Sequence, residues 1–153
     1  MTARFSSNDA LKSARQEWLS VLVRVPADAV IESAQQFSFE VFELKSPEVG
    51  MIMTDARIHA SGPGFHLGEV TLTRCVLKDE LGHLGYGQIL GRNANQALAI
   101  ARFDLALQRQ DTASQAEESL AVWRDEIAAL DAMQSERVEA TRVNFFTMVR
   151  GDG

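Results

Sequence analysis

The chain has 153 residues, enough for one domain with a real core and too few for two comfortable ones. Its formal charge of −6 argues against sequence-independent nucleic-acid binding, which needs clustered Lys and Arg to displace counterions. The single cysteine, Cys75, excludes an intrachain disulfide and a Cys-based zinc site. No apolar run approaches the roughly 20 residues of a membrane span, and the opening MTARFSSND lacks a signal-peptide core, so a cytoplasmic setting is expected.

In chain order, Ser7 or Asn8 caps a helix to about Val25, with Leu11, Ala14, Trp18, Val21, Leu22 and Val25 on one stripe. Pro26 breaks it and opens a shorter helix carrying Val30, Ile31, Ala34 and Phe37. The period then changes. Phe39–Leu44 reads as a strand, Ser46-Pro47-Glu48 as a turn, and Val49–Ala60 as a second, alternating strand. Ser61-Gly62-Pro63-Gly64 reads as a loop. Gly68–Leu77 alternates again, with Val70, Leu72 and Val76 expected inward and Glu69, Thr71 and Thr73 outward.

The centre of the pattern is Leu84–Leu107. Leu84, Tyr86, Gln88 and Leu90 alternate with Gly85, Gly87, Ile89 and Gly91, and the two glycines on one face leave room for a close approach. Asn93 reads as an N-cap, and the helix that follows is apolar nearly all round, which marks it as a core helix. A polar break at Arg109–Gln115 leads to a long helix from Ser114 to about Arg142, seamed by Leu120, Trp123, Ile127, Leu130 and Met133. Short connections between successive strands favour antiparallel pairing. The expected architecture is α+β: a four-stranded antiparallel sheet flanked by two N-terminal and two C-terminal helices. It forms one domain over residues 1–153, with an apolar tail at 143–153.

No acid–base pair or nucleophile constellation stands out, so no catalytic residue is assigned. His59, His66 and His83 lie in separate strands or turns, and no metal site is expected. Cys75 lacks an activating neighbour and reads as a core filler. The loop SGPGFHLG lacks the Lys-Ser/Thr pair of a Walker A sequence. Three residues are candidates for binding an anion: His66 in that loop, Arg92 beside a helix N-terminus, and Arg74 on an otherwise apolar strand face. Phe145, Phe146, Met148 and Arg150 in the tail are candidate interface residues, because an exposed apolar chain end is costly.

Four blocks resemble one known family in order and spacing. They are RQEWLSVL (Arg15–Leu22), GEVTLTR (Gly68–Arg74), LGYGQILGRNANQA (Leu84–Ala97) and TRVNFFTMVRGDG (Thr141–Gly153). The chain is similar to the PhnG family, the G subunits of the carbon–phosphorus lyase core complex. The resemblance implies a cytoplasmic, oligomeric accessory subunit that works with the H, I and L subunits, alongside the J subunit that cleaves the C–P bond. That assembly displaces adenine from its substrate ATP by a phosphonate such as methylphosphonate, giving α-D-ribose 1-methylphosphonate 5-triphosphate. It implies no catalytic residue and no cofactor on this chain alone. The alternative is a self-sufficient small nucleotide- or anion-binding domain using Arg74, Arg92 and His66.

Overall fold

The computed structural model describes residues 7–57 and 63–141. Its elements run α1 (Ser7–Leu22), α2 (Ala27–Gln35), β1 (Val41–Arg57), β2 (Gly64–Asp79), β3 (Leu84–Leu90), α3 (Ala94–Gln108) and α4 (Ala113–Ala140). The α+β class is as expected, but the described sheet has three antiparallel strands in the order β1-β2-β3, not four.

The difference lies at Ser46-Pro47-Glu48. The expected turn is absorbed into one 17-residue strand. The register against β2 slips between Glu43 and Lys45 and again between Lys45 and Glu48, so extra residues are taken up as bulges. Proline is tolerated there because β1 is the edge strand of the described sheet, and a missing N–H need not interrupt a ladder on its open side. β2 also begins earlier than expected, at Gly64, so most of the glycine-rich segment is strand rather than loop. Ile58, His59, Ala60, Ser61 and Gly62 lie outside the described residues.

The faces of β2 are also the reverse of the expected ones. Thr73, Cys75, Leu77 and Asp79 are buried, whereas Val70, Leu72 and Val76 lie half-buried on the face away from the helices. Alternation gives two faces but not which is covered. That is decided by β3, whose Gly85 and Gly87 face α3. A Cβ built on Gly87 would lie 1.8 Å from the Ala97 carbonyl oxygen, and one on Gly85 would lie 2.2 Å from that of Ala101. The strand backbone rests directly on the helix, and the helix answers with Ala97 and Ala101, both fully buried.

One other local expectation holds. Asn93 Oδ1 accepts the Gln96 N–H at 3.0 Å, capping α3. Gly91, read from the sequence as part of the strand, instead lies just past β3 at φ +90° and makes the reversal before that cap. The core then forms on both flanks of α3. Leu22, Val30, Phe37, Ile100, Phe103, Leu120 and Trp123 pack on one side, and Cys75, Leu77, Ala97 and Leu105 on the other.

The two sheet edges differ. On β3 the outward Tyr86 N–H donates to Asp104 at 2.8 Å, and the Leu84 carbonyl accepts from Gln108 at 2.9 Å and from Arg15. β1 has no described strand on its other side.

Gly87→Val is expected to prevent folding or to cost more than the roughly 1–3 kcal/mol usual for overpacking, because the clash is with backbone rather than a movable side chain. Gly50→Val, where a Cβ meets nothing within 4 Å, is the control. Urea-unfolding midpoints of the two variants check it.

Candidate functional site

Two buried carboxylates dominate the polar interior, and neither was singled out in the sequence. Asp104, on α3, is fully buried. It accepts from Trp18 Nε1 at 2.9 Å, from the Tyr86 N–H at 2.8 Å and from Arg15 Nε at 3.1 Å, with a second bond from Arg15 Nη2. Arg15 and Trp18 stand three apart on α1 and therefore share a face. The carboxylate thus joins α1, α3 and β3. Its sequence signal was the lone acid in the apolar run ARFDLAL.

Asp79 closes β2. Its Oδ1 accepts the His83 N–H at 2.8 Å, and its Oδ2 takes His83 Nδ1 at 2.8 Å and Arg109 Nη1 at 3.1 Å. Burial pushes the Asp79 carboxyl up, but the His83 hydrogen bonds, the His83 charge and Arg109 together outweigh it and hold the group below the usual carboxylate range. Arg109 is itself buried and also pairs with Asp111 and Glu80, each at 2.8 Å. The Asp111 hydrogen bond, opposed by burial and aided by Glu80, raises its pKa further. The polar linker expected to be a simple helix break therefore anchors the β2–β3 turn. No local signal joins Arg109 to Asp79, thirty residues apart. Both networks are fully engaged in holding elements together.

The expected anion-binding residues fall at separate places. Arg74 lies on the outer sheet face, where its Nε donates to Glu48 Oε1 at 2.5 Å, and Lys45 joins the same carboxylate at 2.8 Å. The Lys45 hydrogen bond first, and then that from Arg74, hold Glu48 below its ordinary range. His66 lies eight residues earlier in β2, roughly 26 Å by strand rise, with Nδ1 2.6 Å from Asp55 Oδ1 across the β1–β2 pair. Arg92 is exposed on the β3–α3 turn, between residues that bond Thr71 and Thr73. Cys75 is buried beside Gly87, and burial pushes its thiol up to about 11, which removes it as a nucleophile. Among the described residues no group of three or more His, Cys, Asp or Glu is placed to hold a metal ion. Phe145, Phe146, Met148 and Arg150 lie outside the described residues.

The largest unexplained feature is apolar and outward. β3 pairs only with Leu72–Lys78, so β1 and β2 continue past it as a two-stranded arm. Cross-strand partners share a face. The arm therefore shows Met51 and Met53 on one side and Ile52 with Val70 on the other, with Met51 70% exposed, and Val49 precedes it on the side of the two methionines. Phe65 and Leu67 are exposed nearer its tip. Helix α4 repeats the theme. Leu120 and Trp123 are buried and Ile127 is partly covered, but Leu130 and Met133 on the same seam are 63% and 62% exposed. The seam outruns the body it packs on, and an exposed Arg24–Asp131 pair accompanies its distal half.

A protein that spends its buried charges on its own framework and presents apolar strand and helix surface outward is an α+β protein suited to being covered by other chains. Comparison with known proteins identifies the family. The chain belongs to the family of the phosphonate metabolism protein PhnG, whose family model matches residues 13–151. It is 35% identical, over 158 residues covering 99% of each chain, to the alpha-D-ribose 1-methylphosphonate 5-triphosphate synthase subunit PhnG of Rhizobium meliloti (strain 1021). The resemblance carried by the four sequence blocks thus extends across the chain.

Two outcomes are expected. Asp104→Asn leaves Arg15 without its full counter-charge and costs about 3 kcal/mol in denaturant unfolding, whereas Arg74→Gln on the open face changes stability by less than about 0.5 kcal/mol. Asp79 titrates lower in the folded than in the unfolded chain, so its contribution is complete above the ordinary carboxylate range and is lost as pH falls through the folded value. The stability gap between the parent chain and Asp79→Asn should therefore close on acidification, measured by urea unfolding from neutral to acid pH.

Proposed function

We propose that this chain is an accessory subunit of a cytoplasmic, oligomeric carbon–phosphorus lyase assembly, shaping or completing the site at which partners act. The reaction is transfer of a phosphonate such as methylphosphonate to the ribose C1′ of ATP, releasing adenine and giving α-D-ribose 1-methylphosphonate 5-triphosphate. ATP is the substrate of the assembly, and the partners are its H, I, J and L subunits. The observation that carries this reading is the exposed apolar surface of the β1–β2 arm and the distal half of α4. Displacement at C1′ needs a positioned leaving-group acid and cations for a triphosphate. Here the buried acids Asp79 and Asp104 are committed to structural partners.

The rival, a self-sufficient nucleotide- or anion-binding domain, has less support. Arg74 and His66 stand apart, facing Glu48 and Asp55. The candidate tail contacts Phe145, Phe146, Met148 and Arg150 belong to the same accessory reading.

Co-expression with the other core subunits, followed by native mass measurement and an adenine-release assay, tests the proposal. The isolated chain should release no adenine from ATP plus methylphosphonate, and the assembly containing it should. Met51→Glu combined with Met53→Glu should alter the chain's own stability by less than about 0.5 kcal/mol, since both side chains are exposed, yet reduce its incorporation. Turnover by the isolated chain at the rate of the assembly would sink the accessory reading.

A further inference from the structure

On the side of α3 away from β3, an open groove of about 640 Å³ separates α2, α3 and the beginning of β1. Its walls are largely apolar, with Ile31 from α2, Leu77 from β2 and Leu98 from α3. Asn95, Leu98 and Arg102 fall at i, i+3 and i+7, one face of α3. The size lies within the range of small-molecule sites.

Arg102 is the unusual member. Its Nη2 donates to the carbonyls of Phe37 at 2.6 Å and Phe39 at 3.0 Å, which fixes the guanidinium over the Phe39 ring. Its buried Nε has no acceptor. Among the described residues no carboxylate pairs with it. Arg109, on the same Phe39 ring, is by contrast surrounded by Asp79, Glu80 and Asp111. Glu43 lines the groove but forms no ion pair with Arg102. A half-buried cation held in place by neutral carbonyls keeps its charge available, and guanidinium is well suited to carboxylate and phosphoryl groups. Burial also lowers the Arg102 pKa, the sign of a charge that is desolvated and not repaid by a counter-ion.

We infer that the groove between α2, α3 and β1 binds an organic anion, an acidic head on an apolar body, with Arg102 holding the head and Ile31, Leu77 and Leu98 covering the body. Glu43 opposes the same head and limits affinity. This inference goes beyond the accessory reading and does not depend on it. The chemistry is that of a free small carboxylate or phosphonate, or of an acidic side chain from a partner subunit.

The test is titration of the full-length chain with hexanoate, and with neutral hexanamide as its isostere, followed by NMR of the Arg102 Nε–H and the methyls of Ile31 and Leu98. Hexanoate should shift these signals saturably and bind about tenfold tighter than hexanamide. Arg102→Gln should abolish the difference, and Glu43→Gln should strengthen hexanoate binding. Arg102→Lys, which keeps charge but loses the fork, should bind with intermediate affinity, and this separates ligand binding from a merely structural bond to the Phe37 and Phe39 carbonyls. Within the assembly, shifts that persist assign a free molecule. Shifts that vanish, together with weaker incorporation of Arg102→Gln, assign a partner carboxylate. Absence of hexanoate shifts in the isolated chain, equal binding of hexanamide, or unchanged binding by a folded Arg102→Gln chain would overturn the inference.

Discussion

The backbone contact between β3 and α3 governs the rest of the architecture. Gly85 and Gly87 bring strand and helix together at a separation no side chain would permit, and Ala97 and Ala101 keep the helix side equally bare. Because the helix lies so close, its next turn delivers Asp104 to the Tyr86 N–H at the strand's outer edge. That carboxylate then draws Arg15 and Trp18, and with them α1, into place. One close approach sets the sheet-to-helix distance, closes an edge and fixes the position of the first helix. The opposite face of α3, freed from the sheet, receives α2 and the start of α4 through Phe103, which meets Phe37 and Trp123 at 5.2 Å ring separations.

Polar and apolar groups are distributed against the usual expectation, and the distribution has one physical logic. Charged groups are buried where a long-range connection must be specified: Asp104 to α1, and Asp79 to the segment after α3. A buried ion pair is a costly cement but a selective one, since a misplaced element leaves a naked charge. Apolar groups are exposed where the chain extends beyond its own core, on the arm and on α4. Under the proposed accessory role, that exposed surface is where a partner chain would sit.

Local chemistry was the legible part of the sequence. The Asn93 cap, the glycines of β3 against the helix and the core character of α3 each rest on residues within one turn or strand, and each is found, whereas α1 ends at Leu22, short of the expected Val25, and Pro26 stands at the N-cap of α2 and not in its first turn. What escaped depends on partners far along the chain. Pro47 reads as a turn unless β1 is known to be an edge. The inward face of β2 follows only from where α3 lies. The α4 seam of Leu120 to Met133 is a regular 3-4 pattern, yet nothing in the pattern says that the body ends near Ile127. Arg109 reads as a polar linker residue until Asp79 is brought beside it by the fold. Arg102 was passed over for the same reason, because a cation in a helix is ordinary until its lack of a counter-charge is seen.

The unequal sheet edges have a consequence for how copies of the chain can meet. β3 is shielded by Asp104, Gln108 and Arg15, so further strands cannot readily add there. Among the described residues β1 offers a long open edge beside exposed methionines, with its two bulges and Pro47 to discourage indiscriminate pairing. An edge left unpaired in this way presents a template for strand-to-strand stacking between copies. The side on which two copies would stack is thereby fixed by the fold: it is the β1 edge and not the β3 edge.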